Sequence, residues 1–260
     1  MRTRTTARTA DGTSLAVQVE GAGPPLLLLA GQANHHGWWD AARPDFADRT
    51  TVTLDWRGTG ESEAGPSDFT TRSLAADVVD VLDALGLTTV DVYGTSMGGR
   101  VAQWLAVDAA SRIGRLVLGC TTPGGRHAVE RSQEVRRRLA VADPAAAREV
   151  VADLMYTPAW RAEHPGPYAT LGDPTISALS ARRHLRASAR HDAYEVLPQI
   201  SAPTLVLHGT DDEFAPVVNA RLIAGRVPGS ELCLFGGARH AYFEECRPEA
   251  SRRVLEFLDA

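Results

Sequence analysis

Short apolar runs alternate with amphipathic stretches along most of this 260-residue chain. The apolar runs are brief and uninterrupted, as expected for strands covered on both faces of a parallel sheet. They lie at 26–30, 51–54, 90–93, 116–118, 204–207 and 232–235. Between them, apolar residues recur at steps of three and four, which predicts helices. These lie at 73–85, 97–109, 217–224 and near the carboxyl terminus. The alternation predicts an α/β fold with a doubly wound, mostly parallel sheet.

Two parts of the chain depart from this alternation. The dipeptide Asp11-Gly12 favours a tight turn, and the alternating stretch at 15–19 follows it, so we predict a hairpin there. Between 121 and 198 the segment is rich in Ala and Arg with helical periodicity. We therefore predict a core formed by 1–120 and 199–260, and an inserted helical cap formed by 121–198.

The composition is that of an ordinary globular protein. Hydrophobic residues make up 44% and charged residues 23%, which indicates neither disorder nor a membrane protein. The longest apolar run, at 26–30, is too short to cross a bilayer, and no apolar segment follows the basic amino terminus. We expect a cytoplasmic protein with no membrane partner. Three cysteines without paired C-x-x-C spacing support neither a disulfide framework nor a zinc site.

The charge distribution narrows the range of partners. A formal net charge of −5 argues against binding to nucleic acid. The segment 121–198 carries 11 arginines and 9 acids, a net charge of +2, whereas the rest of the chain carries −7. A stretch without acids at 182–191 contains Arg182, Arg183, Arg186 and Arg190. This stretch is either a solvated helix face or a patch for an anionic partner, such as a substrate carboxylate or an acidic acyl-carrier protein.

A G-x-S-x-G pentapeptide at 94–98 indicates a nucleophile. It follows a predicted strand and opens a predicted helix, the context of a strained turn that exposes Ser96. A Cβ atom at Gly94 or Gly98 would collide with the neighbouring backbone in such a turn. We therefore predict that Ser96 is a catalytic nucleophile.

A serine hydroxyl requires a base, and the base requires an orienting carboxylate. Among eight histidines, His240 lies in a glycine-rich loop after the last predicted strand, and His208 at a strand end is the alternative. The preceding strand is followed by three adjacent acids, of which we choose Asp212, with Asp211 as the main alternative.

Donors for an oxyanion and a lining for the pocket complete the predicted site. The backbone N–H of Met97 directly follows the nucleophile, and the N–H of Gln32 lies in the loop after the first apolar run. Aromatic residues in this loop and in the cap either line an apolar pocket or pack in the core. They are Trp38, Trp39, Tyr156, Trp160 and Tyr168.

Taken together, these motifs resemble the α/β-hydrolase superfamily over nearly the whole chain. The stretch D-W-R-G-T-G-E-S at 55–62 is similar to that family's D-x-R-G-x-G-x-S turn, which is structural there. Gly209, Asp212 and Pro216 match its G-x-x-D-x-x-x-P pattern, which supports Asp212. The segment from Ser96 to Leu105 is similar to 3-oxoadipate enol-lactonases and esterase-like relatives. A departure is the Ala30-Gly31-Gln32 sequence in place of the frequent His-Gly pair.

Three functions follow from these observations. The first is hydrolysis of a small carboxylic ester or lactone through an acyl-enzyme on Ser96. The second is that of a thioesterase or acyltransferase that moves an acyl group from a thioester, such as one on a carrier protein, to another nucleophile. The third is a non-catalytic ligand-binding protein. Protein groups supply all the chemistry of the first two, so we expect a small-molecule acyl substrate and no cofactor or metal.

Overall fold

An eight-stranded sheet runs through the protein, whose computed structural model describes residues 2–260. The strands are β1 (Thr3–Arg8), β2 (Ser14–Glu20), β3 (Pro25–Leu29), β4 (Thr50–Leu54), β5 (Val90–Thr95), β6 (Ile113–Gly119), β7 (Thr204–Gly209) and β8 (Glu231–Phe235). Their order in the sheet is β1-β2-β4-β3-β5-β6-β7-β8. Strands β1 and β2 form the predicted antiparallel hairpin, and β2 also pairs antiparallel with β4. All other neighbours are parallel, which confirms the mostly parallel sheet.

Helices connect the parallel strands, as the alternation predicts. They are α1 (Thr71–Ala84), α2 (Met97–Asp108), α3 (Gln133–Leu139), α4 (Pro144–Met155), α5 (Pro158–Glu163), α6 (Ala178–Ala189), α7 (Val218–Arg226), α8 (Tyr242–Glu245) and α9 (Glu249–Leu258). Helix α1 begins at a capping box in which Thr70 and Ser73 satisfy each other's backbone N–H groups. It ends before Gly86, which adopts a positive φ of 68°. The α/β fold is therefore confirmed.

The core lies on both faces of the sheet. Strand β3 has no exposed side chain from Leu26 to Leu29, which explains why this strand is apolar without alternation. Helix α1 buries Leu74, Val78 and Val81 in the same hydrophobic core. Burial of each such side chain contributes about 1.5–3 kcal/mol to folding. These contacts fix the strands in parallel register, so that the loops after β3, β5, β6, β7 and β8 meet at one edge.

The segment between β6 and β7 contains α3 to α6, in agreement with its helical periodicity. Met155, Tyr156, Ala187 and Leu197 from this segment belong to the same buried cluster as the sheet residues. The division into a core and a cap stays a prediction. Within residues 2–260, no helix combines the length and the apolar character that crossing a membrane requires.

A buried ion-pair network fixes the turn after β4. Arg57 donates to both carboxylate oxygens of Asp77 on α1 at 2.7 Å, and also to Asp11 in the hairpin turn at 2.8 Å. Arg57 and Asp77 are both buried, in contrast to Arg72 and Asp108, whose two hydrogen bonds of 2.7 Å lie at the surface. The network joins the hairpin, the turn and α1.

We expect Arg57→Met to lower the free energy of unfolding by about 3–5 kcal/mol, because Asp77 would remain buried without its charge partner. The matched control, Arg72→Met, should cause a much smaller loss, since exposed ion pairs contribute little to stability. Urea denaturation of both variants measures the difference. Equal losses in the two variants would contradict a structural role for this network.

Candidate functional site

Ser96 lies in the turn between β5 and α2, with φ 53° and ψ −120°. This conformation is costly for a residue with a side chain and is maintained by its surroundings. Its N–H donates to the carbonyl of Gly119 at 2.9 Å, and its carbonyl accepts from the hydroxyl of Thr121 at 2.8 Å. Both backbone groups are therefore fixed by β6 and the residues after it, while the side chain is left at the sheet edge.

The glycines around Ser96 are required by close backbone approach. A Cβ atom on Gly98 would lie 2.2 Å from the carbonyl oxygen of Leu29, and one on Gly94 would lie 2.5 Å from the carbonyl oxygen of Gly98. Neither neighbour is a flexible side chain that could move aside. The predicted collisions are thus confirmed, and the turn must pack directly on the end of β3.

His240 and Asp212 form a buried pair at the same edge. The Nδ1 atom of His240 lies 2.7 Å from Oδ2 of Asp212, and both residues are about 4% exposed. Burial disfavours the charged carboxylate, but the charges and hydrogen bonds of His240 and His208 outweigh it and lower the pKa of Asp212. Because an ionised carboxylate only accepts, Nδ1 carries the proton and Nε2 of His240 is left as an acceptor.

The alternative base and the alternative acid named from the sequence, His208 and Asp211, lie elsewhere in the structure. His208 is fully buried, with Nε2 2.7 Å from the carbonyl oxygen of Ala215 and 3.1 Å from Oδ2 of Asp212. It contacts the same carboxylate oxygen of Asp212 as His240 does. Asp211 is exposed and accepts from the hydroxyl of Thr210 at 2.9 Å.

Two backbone N–H groups remain available beside Ser96. Because the N–H of Ser96 is occupied by Gly119, the first free N–H of α2 is that of Met97. Gln32 follows β3 in a loop whose path is set by Gly31, where a Cβ atom would lie 2.5 Å from the ring of Trp38. Trp38 is held in turn by a hydrogen bond of 2.8 Å from Nε1 to the hydroxyl of Thr95.

A cavity of about 380 Å³ opens above Ser96 and His240. Its wall includes Gln32 and Trp38 from the first loop. Asn34 belongs to the same loop, and further wall residues from other parts of the chain are Arg100, Arg131, Leu139, Val151, Met155, Thr170 and Phe214. Ser96, His240, Gln32 and Trp38, which the sequence singles out, thus share one cavity.

Four of the predicted pocket residues, Trp39, Tyr156, Trp160 and Tyr168, do not line this cavity. Trp39 is fully buried and packs on Tyr93 and Phe243, with ring centroids 4.8 and 5.4 Å apart. Tyr156 is also fully buried, and its ring stacks on Trp160 at 4.4 Å. These side chains therefore pack in the core, which is the second of the two possibilities given in the sequence analysis. Tyr168 lies beside Tyr156 at 4.8 Å and likewise does not line the cavity.

Tyr156 has a polar function behind the cavity wall. Its hydroxyl donates to Oε2 of Glu244 at 2.6 Å and lies 2.5 Å from the hydroxyl of Thr170, which does line the cavity. Burial raises the pKa of Glu244 to about 7, although the hydrogen bond from Tyr156 and the charge on Arg247 act in the opposite direction. The carboxyl is thus protonated in weakly acidic solution.

The arginines at 182–191 lie outside the cavity on α6 and just after it. Arg183 and Arg186 both form ion pairs with Asp68, and Arg183 also donates to the carbonyl of Gly65 at 3.2 Å. Arg182 and Arg190 are exposed. Two of the four arginines therefore share one carboxylate within the chain, and an acyl-carrier protein as the partner of this patch stays a prediction.

Most of the cavity wall was missed by the sequence reasoning, including Asn34, Arg100, Arg131 and Phe214. Arg100 had a signal, because it follows Ser96 by one helical turn and so lies on the same side of α2. Asn34 had one as well, because it lies between Gln32 and Trp38 in the first loop. Arg131 and Phe214 had none, since separate loops bring them to the wall.

A cluster of potential metal ligands lies away from the cavity wall. Ligand atoms of His35, His36 and Asp55 fall within 4.8 Å of one another. Hydrogen bonds explain this grouping: Asp55 Oδ1 accepts from the backbone N–H of His36 at 2.8 Å and lies 2.7 Å from its Nδ1. The cluster therefore does not indicate a metal centre.

Known proteins resemble this chain over nearly its full length. The family described as alpha/beta hydrolase fold matches residues 24–245. A relative from Azorhizobium caulinodans, named "Putative carbamate hydrolase RutD", is 29% identical over 93% of each chain. A crystal structure of a hydrolase from Pseudomonas aeruginosa PA01 is 30% identical, with a TM-score of 0.84 over 99% of this chain and 98% of the other. The enol-lactonase from Burkholderia xenovorans LB400 shares the fold at 22% identity, with a TM-score of 0.83 over 98% and 100%.

The raised pKa of Glu244 makes folding stability depend on pH. An unfolded glutamate titrates near 4.3, so between about pH 4 and 7 the folded protein holds a proton that the unfolded chain releases. This stabilisation is complete below about pH 4 and is lost as the pH rises through about 7.

We expect the stability of wild type relative to Glu244→Gln to fall by about 3 kcal/mol between pH 4.5 and 8, because glutamine has no proton to lose. Urea denaturation at both pH values measures this difference. The control is Glu256→Gln, which changes an exposed carboxylate on α9 and should shift the same difference by less than about 1 kcal/mol. A pH-independent difference for Glu244→Gln would refute the argument.

Proposed function

The chain belongs to the α/β-hydrolase fold family, and we propose that it is a serine hydrolase that cleaves a small carboxylic ester or lactone. The observation that carries the proposal is the buried hydrogen bond of 2.7 Å between His240 Nδ1 and Asp212 Oδ2, in the cavity where Ser96 occupies its strained turn. This pair leaves Nε2 of His240 free to accept a proton. The named hydrolases among its relatives support the same reaction class.

In the first half of the reaction, Oγ of Ser96 attacks the acyl carbon while its proton moves to Nε2 of His240. Asp212 stabilises the imidazolium that forms. The tetrahedral oxyanion accepts hydrogen bonds from the N–H groups of Met97 and Gln32. The bond to the leaving oxygen then breaks, that oxygen takes the proton from His240, and the acyl group stays on Ser96.

In the second half, water replaces the leaving group. His240 removes a proton from the water as it attacks the acyl carbon, and returns it to Oγ of Ser96 as the product acid leaves. If a thiol or an alcohol replaces water, the same steps transfer the acyl group to it. If the substrate is a thioester, the same steps make the protein a thioesterase.

Covalent labelling by a fluorophosphonate tests the proposal. Wild type should be labelled once, at Ser96, and Ser96→Ala should not be labelled at all. Asp212→Asn should slow labelling and ester turnover by about 10³–10⁴-fold, because the imidazole loses its orienting charge. Intact-mass spectrometry and release of 4-nitrophenol measure the two rates.

The chain offers matched controls for both partners of Ser96. Asp211→Asn changes the adjacent exposed acid and should leave turnover within about twofold, since exposed groups outside the site contribute little. His240→Gln should abolish labelling, whereas His208→Gln should retain part of it, because His208 acts only through Asp212. A folded wild type that is not labelled would favour the ligand-binding alternative and overturn the proposal.

A further inference from the structure

Two arginines line the cavity together with Ser96 and His240. Arg100 lies on α2, one turn after the serine, and its backbone N–H donates to the carbonyl of Ser96 at 3.2 Å. Arg131 lies between β6 and α3, on the part of the wall that Phe214 also forms. The assigned hydrolytic chemistry uses neither of them.

Arg100 leaves most of its donor capacity unused. One guanidinium nitrogen donates to the carbonyl of Ser188 at 2.8 Å, which joins α2 to α6. Its Nε atom is buried and has no hydrogen-bond partner within residues 2–260. A buried donor without a partner destabilises the free protein, so a ligand that accepts a hydrogen bond from this guanidinium gains binding energy.

Arg131 is held by an aromatic ring. Its guanidinium lies 5.1 Å from the centroid of Phe214, and the Phe214 ring lies 5.2 Å from that of His240. This places a positive charge one side chain away from the base. The Arg131 side chain donates no hydrogen bond to any group in the described chain, residues 2–260, and pairs with no carboxylate there.

Other buried arginines of this protein are treated differently. Arg57 is paired with Asp77, Arg49 lies 2.7 Å from Asp91, and Arg43 donates to Thr51 at 2.8 Å and lies 3.5 Å from Glu20. Each has a carboxylate within the chain. Over the stretch that the structure describes, 2–260, Arg100 has none. The three arginines with structural roles therefore each have a carboxylate partner, whereas Arg100 and Arg131 form no ion pair within the described residues.

The electrostatic field in the cavity favours an anion. None of its wall residues is acidic. The nearest carboxylates are occupied, since Glu130 is exposed and pairs with Arg136 at 3.2 Å, and Asp212 is held by its two histidines. Burial and the neighbouring charge of Arg131 lower the pKa of Arg100 to about 10, so it stays charged at neutral pH without a counter-ion.

We infer that Arg100 and Arg131 bind a carboxylate of the substrate, so that this enzyme acts on esters or lactones that carry a second, anionic carboxyl group. This inference rests on the proposed function at Ser96. A guanidinium donates two parallel hydrogen bonds to a carboxylate, and such bonds are strongest where water is excluded. The cavity of about 380 Å³ lies in the range of small-ligand sites and accommodates a compact substrate with both groups.

Paired substrates test this inference. 4-Nitrophenyl hydrogen adipate carries the carboxylate in its acyl part, and 4-nitrophenyl hexanoate is its neutral counterpart. 4-Acetoxybenzoate carries the carboxylate in its leaving group, and methyl 4-acetoxybenzoate is the neutral counterpart. We expect wild type to prefer one anionic member over its partner by about 10- to 100-fold in kcat/KM, and the preferred pair shows which part enters between the arginines.

Variants assign that preference to the two arginines. Arg131→Gln and Arg100→Gln should each lower the ratio of kcat/KM for the anionic substrate to that for its neutral counterpart by about 10-fold or more. Arg100→Lys keeps the charge and should retain part of the preference. Arg182→Gln, an exposed arginine outside the cavity, is the control and should have no effect on it. Circular dichroism identifies any variant that fails to fold, and Arg131 then carries the test.

A binding measurement separates this inference from the proposed function. Calorimetry with Ser96→Ala requires no turnover, and monomethyl adipate should bind more tightly than dimethyl adipate by about 10-fold or more. Equal binding of the two, with equal turnover of each substrate pair, would overturn the carboxylate site while leaving the serine hydrolase intact. Anion binding that Arg131→Gln abolishes, in a protein that hydrolyses no ester, would retain the site and overturn the hydrolase.

Discussion

The close approach of the turn at Ser96 to the end of β3 is the constraint on which the rest of the site depends. Only because Gly98 lacks a side chain can α2 begin against the carbonyl of Leu29. This contact places the first N–H groups of α2 beside the loop that carries Gln32. The residues with positive φ other than glycine in 2–260 are Ser96, Ala33 and Cys120, all in loops at this edge. Each costs about 1–3 kcal/mol, which the buried sheet below them offsets.

The pairing of charged side chains is the second constraint on the site. Some of these charges have charged partners within residues 2–260, whereas the charge of Arg100 has none there. Asp212 accepts from two histidines and from the N–H of Ala215, so it stays ionised in spite of full burial. Arg57 and Asp77 neutralise each other where the turn after β4 needs rigidity. The charge of Arg100 faces a cavity instead. A charge without a partner destabilises the free protein, and the substrate carboxylate proposed above would offset that cost.

The sequence was sufficient for most of the strands and helices and for the turn at Ser96. The parallel strands follow from short continuous apolar runs and the helices from a period of 3.6, and the turn follows from the glycines that its backbone requires. The sequence could not separate Trp38 from Trp39, which are adjacent yet lie in the cavity wall and in the core. It also could not place Arg131 beside Phe214, because the two are 83 positions apart and meet only through packing of loops. Wall residues depend on tertiary contacts that no local period encodes.

The positive charge of the segment 121–198 shows that a count of charges along the sequence does not tell where an anion is attracted most strongly. Counted along the chain, its arginines point to the stretch at 182–191, but two of those side chains pair with Asp68 at the surface. Water and salt weaken whatever attraction remains there, so an anion gains little from that patch. Arg131 belongs to the same segment but lies in a wall with apolar neighbours such as Leu139 and Met155, where the dielectric is low. A single unpaired guanidinium there attracts a carboxylate more strongly than several exposed ones, so the position of a charge matters more than the number of charges.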